Sequence, residues 1–179
     1  VHEVVRKLAG FEIPAAEWES NVLPARVRDY RPEWLDHLTL TGEIAWGRLW
    51  GEGSTPVRST PISLVPREDL DAWLALSGPG EEPLSTYART ILDALRARGA
   101  SFLQELQRST RLLPSHFEIG LVEAIGHGRL TCDSFGGLRR LVTPPSRRRG
   151  AMKRAPLAPA GRWSPFRAAG EGGARAGEH

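Results

Sequence analysis

The 179-residue chain has one cysteine, Cys132. Neither an internal disulfide nor a cysteine-built zinc site is therefore available, and a reducing compartment fits. It has no run of about 18 apolar residues and no charged-then-apolar N-terminus, so neither a membrane-spanning helix nor a secretory signal is expected and the cytoplasm is the expected location. No Gly-rich loop ends in Lys-Ser or Lys-Thr, and no Asp-Glu pair sits in a strand context, so the chemistry of a nucleotide-driven motor is missing. Among the five histidines no pair has the four-residue helical spacing of metal ligands, and no metal site is expected. What is present is an apolar content of 40%, enough for a packed core. The chain starts at Val1 rather than methionine, which reads as the start of a fragment.

The net charge of +3 hides a gradient. Residues 1–83 hold 8 Lys/Arg against 14 Asp/Glu, residues 84–142 hold 8 against 5, and residues 143–179 hold 8 against 2. A polyanionic partner is therefore expected to meet the late part of the chain.

From Leu84 the pattern is well punctuated. Ser85 can cap a helix over about 86–98 with Ala88, Ile91, Leu92 and Leu95 at helical spacing, and Gly99 ends it. Ser101 and Gln104 have capping-box spacing for a second helix burying Phe102, Leu103 and Leu106. Ser115 and Glu118 repeat that spacing for a third, with Phe117, Leu121, Val122 and Ile125 inward and an end near Gly126 to Gly128. RLTCD, SFGG and LRRLV then read as a β-hairpin, with Gly136 and Gly137 supplying positive φ at its turn. Three helices and a hairpin are the order of a winged helix, predicted over residues 84–142.

Residues 1–80 follow the same order. Val4, Val5 and Leu8 suit a first helix, Pro14 opens a second through about Leu23, and Pro32 opens a short third containing Trp34, Leu35 and Leu38. GEIAWGRLW and TPISLV make a long hairpin wing, with Ile44, Trp46 and Arg48 on one face; REDLDAWLAL adds a helix before the breaker SGPGEEP. Residues 143–160, rich in Pro and Arg, read as a flexible basic linker, and residues 161–179 as the stub of a β-domain with a disordered tail. The fold class expected is α+β and helix-rich, with tandem winged helices.

The third helix of the second unit is expected to expose His116, Glu118, Gly120, Glu123 and His127, with no Lys or Arg, which argues against base-specific reading in a major groove. Backbone contact is assigned instead to Arg129, Arg139 and Arg140 on the wing and to Arg147, Arg148, Arg149, Lys153 and Arg154 in the linker. A solvated charged surface is the competing reading. Of six tryptophans, Trp50 beside the wing tip is the candidate for stacking on a base. Asp133 before Ser134 reads as a turn residue, and no catalytic residue is assigned.

The phrases WESNVLPARVRDYRPEWLDHLTLTGEIAWGRL, STPISLVPREDL, ILDALRARGASFLQEL, LLPSHFE and LTCDSFGGLRRLV, closing with GRWS, resemble in order the C-terminal region of bacterial large helicase-related (Lhr) proteins, from about Val4 to Ser164. The resemblance implies an ATP-dependent 3′-to-5′ DNA helicase linked to repair, with ATP and magnesium held by motor domains upstream of this chain. It implies further that the third and fourth winged helices are represented here. Together with the missing motor motifs and the cationless third helix, the expectation is a non-catalytic part, joined to those motors, that binds DNA weakly and with little regard to sequence. A piece of a DNA-glycosylase-like module and a stand-alone winged-helix regulator are the rival readings. Pro165 and the tail after GRWS depart from the family pattern, consistent with a truncated or frame-shifted end.

Overall fold

A computed structural model describes residues 1–53, 56–78, 80, 82–143 and 161–167. The first unit starts with α1 (His2–Leu8), whose Val5 is fully buried. The expected helix from Pro14 to Leu23 is instead the short strand β1 (Ile13–Pro14) and a π-helical turn at Trp18–Val22. Trp18 decides this local geometry: its ring is fully buried and its indole N–H donates to the Ile62 carbonyl at 2.9 Å, satisfying the one polar atom of a large apolar side chain. Pro32 stands at the start of α2 (Pro32–Leu40), as its fixed φ and missing N–H allow.

Strands β2 (Ile44–Gly47) and β3 (Pro61–Pro66) pair antiparallel, Ile44 opposite Pro66 and Gly47 opposite Ser63, and β1 adds to the far edge of β3. The sheet order is β1-β3-β2. The expected one-sided alternation fails, because all four positions of β2 are buried. Ile44 and Trp46 enter the main core, while Ala45 joins Leu49, Val65 and Phe166 in a smaller cluster against Leu70, Trp73 and Leu74. The helix α3 (Leu70–Ser77) thus covers the sheet's second face.

In the second unit α4 (Thr86–Arg98) begins and ends as its sequence dictates: the Ser85 hydroxyl accepts from the Ala88 N–H, and Gly99 at φ +83° closes it. Ser101 does not cap the next helix. It lies in strand β4 (Ser101–Phe102) and donates to the Gly99 carbonyl, while Glu105 accepts from the Phe102 N–H at 3.2 Å and α5 runs from Leu103 to Thr110. Pro114, rather than a Ser115 cap, opens α6 (Pro114–Gly126). Helices α4 and α6 approach closely at Gly120, where an added Cβ would stand 2.9 Å from the Tyr87 backbone. Gly120→Ala is expected to lower stability by about 1–2 kcal/mol in urea unfolding, the overpacking outweighing alanine's better helix propensity.

The C-terminal hairpin is not formed. Strand β5 (Leu130–Cys132) is followed by Ser134, whose hydroxyl accepts from the Gly136 N–H and caps a helix, α7 (Phe135–Val142). Phe135 and Leu138 are buried three residues apart, a helical spacing that LRRLV shares with a strand pattern. Gly136 and Gly137 have no positive φ; at Gly137 a Cβ would meet the Cys132 sulfur at 2.8 Å, so close packing explains it. The strand beside β5 is β6 (Arg162–Pro165), with Cys132 opposite Trp163, and β6 also pairs with β4. Its order, β4-β6-β5, repeats that of the first sheet. The GRWSP segment is therefore the central strand of the second sheet rather than the stub of a separate domain.

One core joins the two units. Trp46 meets Phe135 and Trp163 edge to face at 6.5 and 6.1 Å, the Thr131 hydroxyl donates to the Trp46 carbonyl, and the Phe135 N–H donates to Thr39 Oγ1 at 3.1 Å. Gly128, at φ +63°, passes so close to the Arg48 carbonyl that a Cβ would lie 2.5 Å from it. Cys132 sits in this core and burial pushes its thiol up to about 12. Its alkylation at neutral pH is expected to be on the order of a thousandfold slower in the native protein than in urea, readable by mass spectrometry.

Candidate nucleic-acid interface

The structure divides the arginines expected to meet DNA. Arg139 lies on α7, not on a wing strand, and faces the first unit. Its guanidinium donates to Glu19 at 2.5 and 2.8 Å and to Asp36 at 2.9 and 3.1 Å, and Glu19 also accepts from the Tyr30 hydroxyl at 2.8 Å. Burial opposes the Arg139 charge, but these carboxylates outweigh it and raise its pKa above the ordinary value. Burial, then the Glu19 charge, raise that of Tyr30. Both forks of Arg139 are consumed inside the protein, so it is a clamp between α7 and the segments of Glu19 and Asp36 rather than a phosphate contact.

Arg129 precedes β5 and is half-buried; it donates to the Gly80 carbonyl, and its Nε is buried without a hydrogen bond. It too points inward. Arg140, beside it on α7, is exposed. Arg147, Arg148, Arg149, Lys153 and Arg154 lie outside the described residues. Trp50 is 38% exposed, but its indole N–H donates to the Gly10 carbonyl at 2.9 Å and its ring meets Trp73 edge to face. It is held as a packing residue with one exposed margin.

The exposed face of α6 differs from expectation in detail. Gly120 and His127 are buried, and Glu123 accepts from the Ser85 backbone and hydroxyl. His116 stacks on Tyr87 at 4.4 Å. What remains outward includes Leu113, Ser115, Glu118 and Ile119, and none is cationic.

The cations left for a polyanion lie elsewhere. Arg26, Arg28 and Arg31 are exposed in the loop leading into α2, the third helical segment of the first unit, where Tyr30 meets the 41% exposed Trp34 edge to face; Arg26 also donates to the Val22 carbonyl at 3.1 Å. On the second unit Arg89 and Arg98 of α4, Arg108 of α5 and Arg111 behind it are also exposed. The net acidity of residues 1–83 concealed the first group, since many of those carboxylates are scattered or, like Glu19, Asp36 and Glu12, engaged internally. The stretch PARVRDYRPEW does carry three arginines close to a tyrosine and a tryptophan.

A second polar centre was invisible to spacing. Glu12 accepts from the Leu49 and Trp50 N–H groups at 2.7 and 2.9 Å, and burial raises its pKa against those bonds. Arg48 reaches the Gly126 carbonyl at 2.7 Å. Arg167 donates to Leu49, Leu74 and Ser77; burial and then the neighbouring Arg129 lower its pKa. Beside them Glu52, Glu82 and His127 converge, with ligand-type atoms all within 4.8 Å of one another. The metal-free expectation rested on sequence spacing, which has no access to such a cluster.

A β-hairpin sheet following three helical segments is the plan of a winged-helix domain. Residues 1–67 match the winged-helix domain defined for large helicase-related proteins. The chain is 30% identical over 168 residues to the Lhr helicase/uracil glycosylase of Escherichia coli, covering 90% of this chain and 11% of that protein. It is 35% identical over 153 residues to the Lhr helicase/probable uracil glycosylase of Mycolicibacterium smegmatis, covering 83% and 10%. The chain belongs to the large helicase-related family, as part of its C-terminal winged-helix region. It spans about a tenth of the length of these curated relatives. Among the described residues no helix is long and apolar enough to cross a membrane.

Proposed function

We propose that this region is an accessory, non-catalytic DNA-engaging part of a helicase of repair type, moving 3′ to 5′, whose ATP and magnesium chemistry belongs to motor domains outside this chain. Both units are winged helices in this reading, and the second has exchanged its hairpin wing for α7 and the chain that returns as β6. The repeated sheet order supports it. The observation that carries the DNA assignment is the exposed Arg26, Arg28 and Arg31 beside Tyr30 and Trp34 at the start of α2. Arginines there neutralise phosphates, and an exposed indole offers a stacking face for an unpaired base. Arg140 and the basic residues 147–154 extend the same positive potential by charge alone. The cationless face of α6 argues against base reading by the second unit.

Fluorescence anisotropy with labelled single-stranded and duplex DNA tests this. Binding is expected to be weak and indifferent to sequence, with a log–log salt slope on the order of −3 for three or four engaged phosphates. Replacing Arg26, Arg28 and Arg31 together by alanine should weaken binding by at least tenfold and flatten the slope. Tight binding to one sequence would instead establish a regulator. The names of both relatives include uracil glycosylase, which favours a second reading: a piece of a base-excising module. Release of uracil from DNA by this chain alone would replace the accessory reading with that one.

A further inference from the structure

We propose that Glu52, Glu82 and His127 form a divalent transition-metal site, of zinc type, that fastens the segment after β2 to the end of α6 across the boundary between the two units. His127 is 6% exposed, and its Nδ1 is buried without a hydrogen bond. That nitrogen faces Glu52 Oε2 at 3.9 Å and Glu82 Oε2 at 3.8 Å, too far for hydrogen bonds in either case. An unpaired buried imidazole nitrogen between two carboxylates is costly unless something lies among them.

A metal ion fits that description. Bonds of about 2.0–2.2 Å to a tetrahedral ion place ligand atoms roughly 3.3–3.6 Å apart, so the two imidazole–carboxylate separations close with a movement of about half an ångström, and the full set, within 4.8 Å, with up to about one ångström more from a carboxylate. Glu82 can supply it, since its side chain is 63% exposed. Glu52 is 14% exposed and its Oε1 is a second buried atom without a partner, giving the site a further oxygen. One imidazole and two carboxylates are a nitrogen–oxygen donor set that suits zinc, manganese or cobalt(II) and leaves a position for water.

The neighbouring cations do not fill this role. Arg129 is bonded to the Gly80 carbonyl and Arg167 to Leu49, Leu74 and Ser77; Arg167 feels the Glu52 charge without pairing to it, Glu52 Oε2 also accepts from the Glu82 N–H at 2.7 Å, and among the described residues the ion-pair partner of Glu52 and Glu82 is His127 alone. Glu52 and His127 line a cleft of about 310 Å³, together with Gly80 and Arg167, which gives an ion and its water a route in. The ligands come from segments 30 and 45 residues apart, so occupation would tie together parts of the chain that local structure does not.

The test is titration of the metal-free chain with Co²⁺, followed by visible absorption, and with Zn²⁺, followed by calorimetry and by Tm. One ion per chain is expected, with the d–d bands of a nitrogen–oxygen site and a rise in Tm at saturating Zn²⁺. Glu82→Gln, at an exposed position that folding tolerates, should weaken binding at least tenfold and abolish the rise. His127→Gln should do the same if it folds, and His116→Gln should change neither. No saturable binding, or binding that Glu82→Gln leaves intact, would overturn the proposal. A Tm that responds to Glu82→Gln and to pH but not to Zn²⁺ would also overturn it, identifying a proton-linked His–Glu contact.

Discussion

Arg139→Ala is expected to cost about 3 kcal/mol of folding stability, read from the urea midpoint. The side chains of Glu19 and Asp36 are 15% and 10% exposed, and Arg139 binds both through paired hydrogen bonds. Removing the guanidinium strands two nearby carboxylates that still carry their desolvation penalty. The lower end of the range for breaking a buried pair applies because Arg139 retains 28% exposure. Lysine should recover only part of the loss, having charge without the planar fork that serves two carboxylates at once. Against a typical total of roughly 5–15 kcal/mol the effect is large. The same variant, assayed while folded, should bind DNA as the parent does. A fall in DNA affinity without loss of stability would return Arg139 to the DNA surface and refute the clamp.

Trp163→Ala is expected to cost about 3–5 kcal/mol, the range for emptying a buried large aromatic site. Trp163 is 2% exposed, sits in β6 opposite both Ser101 and Cys132, and packs its ring edge against Trp46 of the first sheet. The loss therefore strikes the second sheet's central strand and the joint between the units together. Phenylalanine should restore more than half by keeping a ring in the site. If residues 138–142 completed the second sheet, as a hairpin reading requires, Trp163 would lie on a dispensable tail and its truncation would change the urea midpoint by less than about 0.5 kcal/mol.

The contrast between these residues explains what the sequence made legible. Helix α4 was readable end to end because its cap, its apolar spacing and its terminal Gly99 all lie within fifteen residues and agree. The helix α2, with its starting proline, and the β2–β3 pairing were readable for the same reason, and so was the body of α6 from its apolar spacing, although the capping-box spacing places its start at Ser115 rather than Pro114. Residues 135–142 were misread because FGGLRRLV satisfies a strand pattern as well as a helical one over so short a stretch. The choice is made by Ser134 capping and by Phe135 and Leu138 entering a pocket built by other segments. Similarly, β6 gives too little signal in four residues to announce a partner 30 residues back.

The candidate interface was half legible. Counting charge along the chain points to the late arginines, yet charge counts carry no information about which carboxylates are already taken. Glu19 and Asp36 neutralise Arg139 from positions 120 and 103 residues away. Once they are assigned, the apparently acidic first unit retains exposed arginines at the start of α2.

The sequence by itself determined most of the helices, though not α7 or the Pro14–Leu23 stretch, together with the first hairpin and the family, because these depend on short-range caps, periodicity and long ordered phrases. Only the tertiary structure decided which strand completes the second sheet, which arginines face solvent, and that Glu52, Glu82 and His127 meet. Those outcomes depend on competition among distant groups for one buried volume and one set of charges, and no local pattern records who wins it.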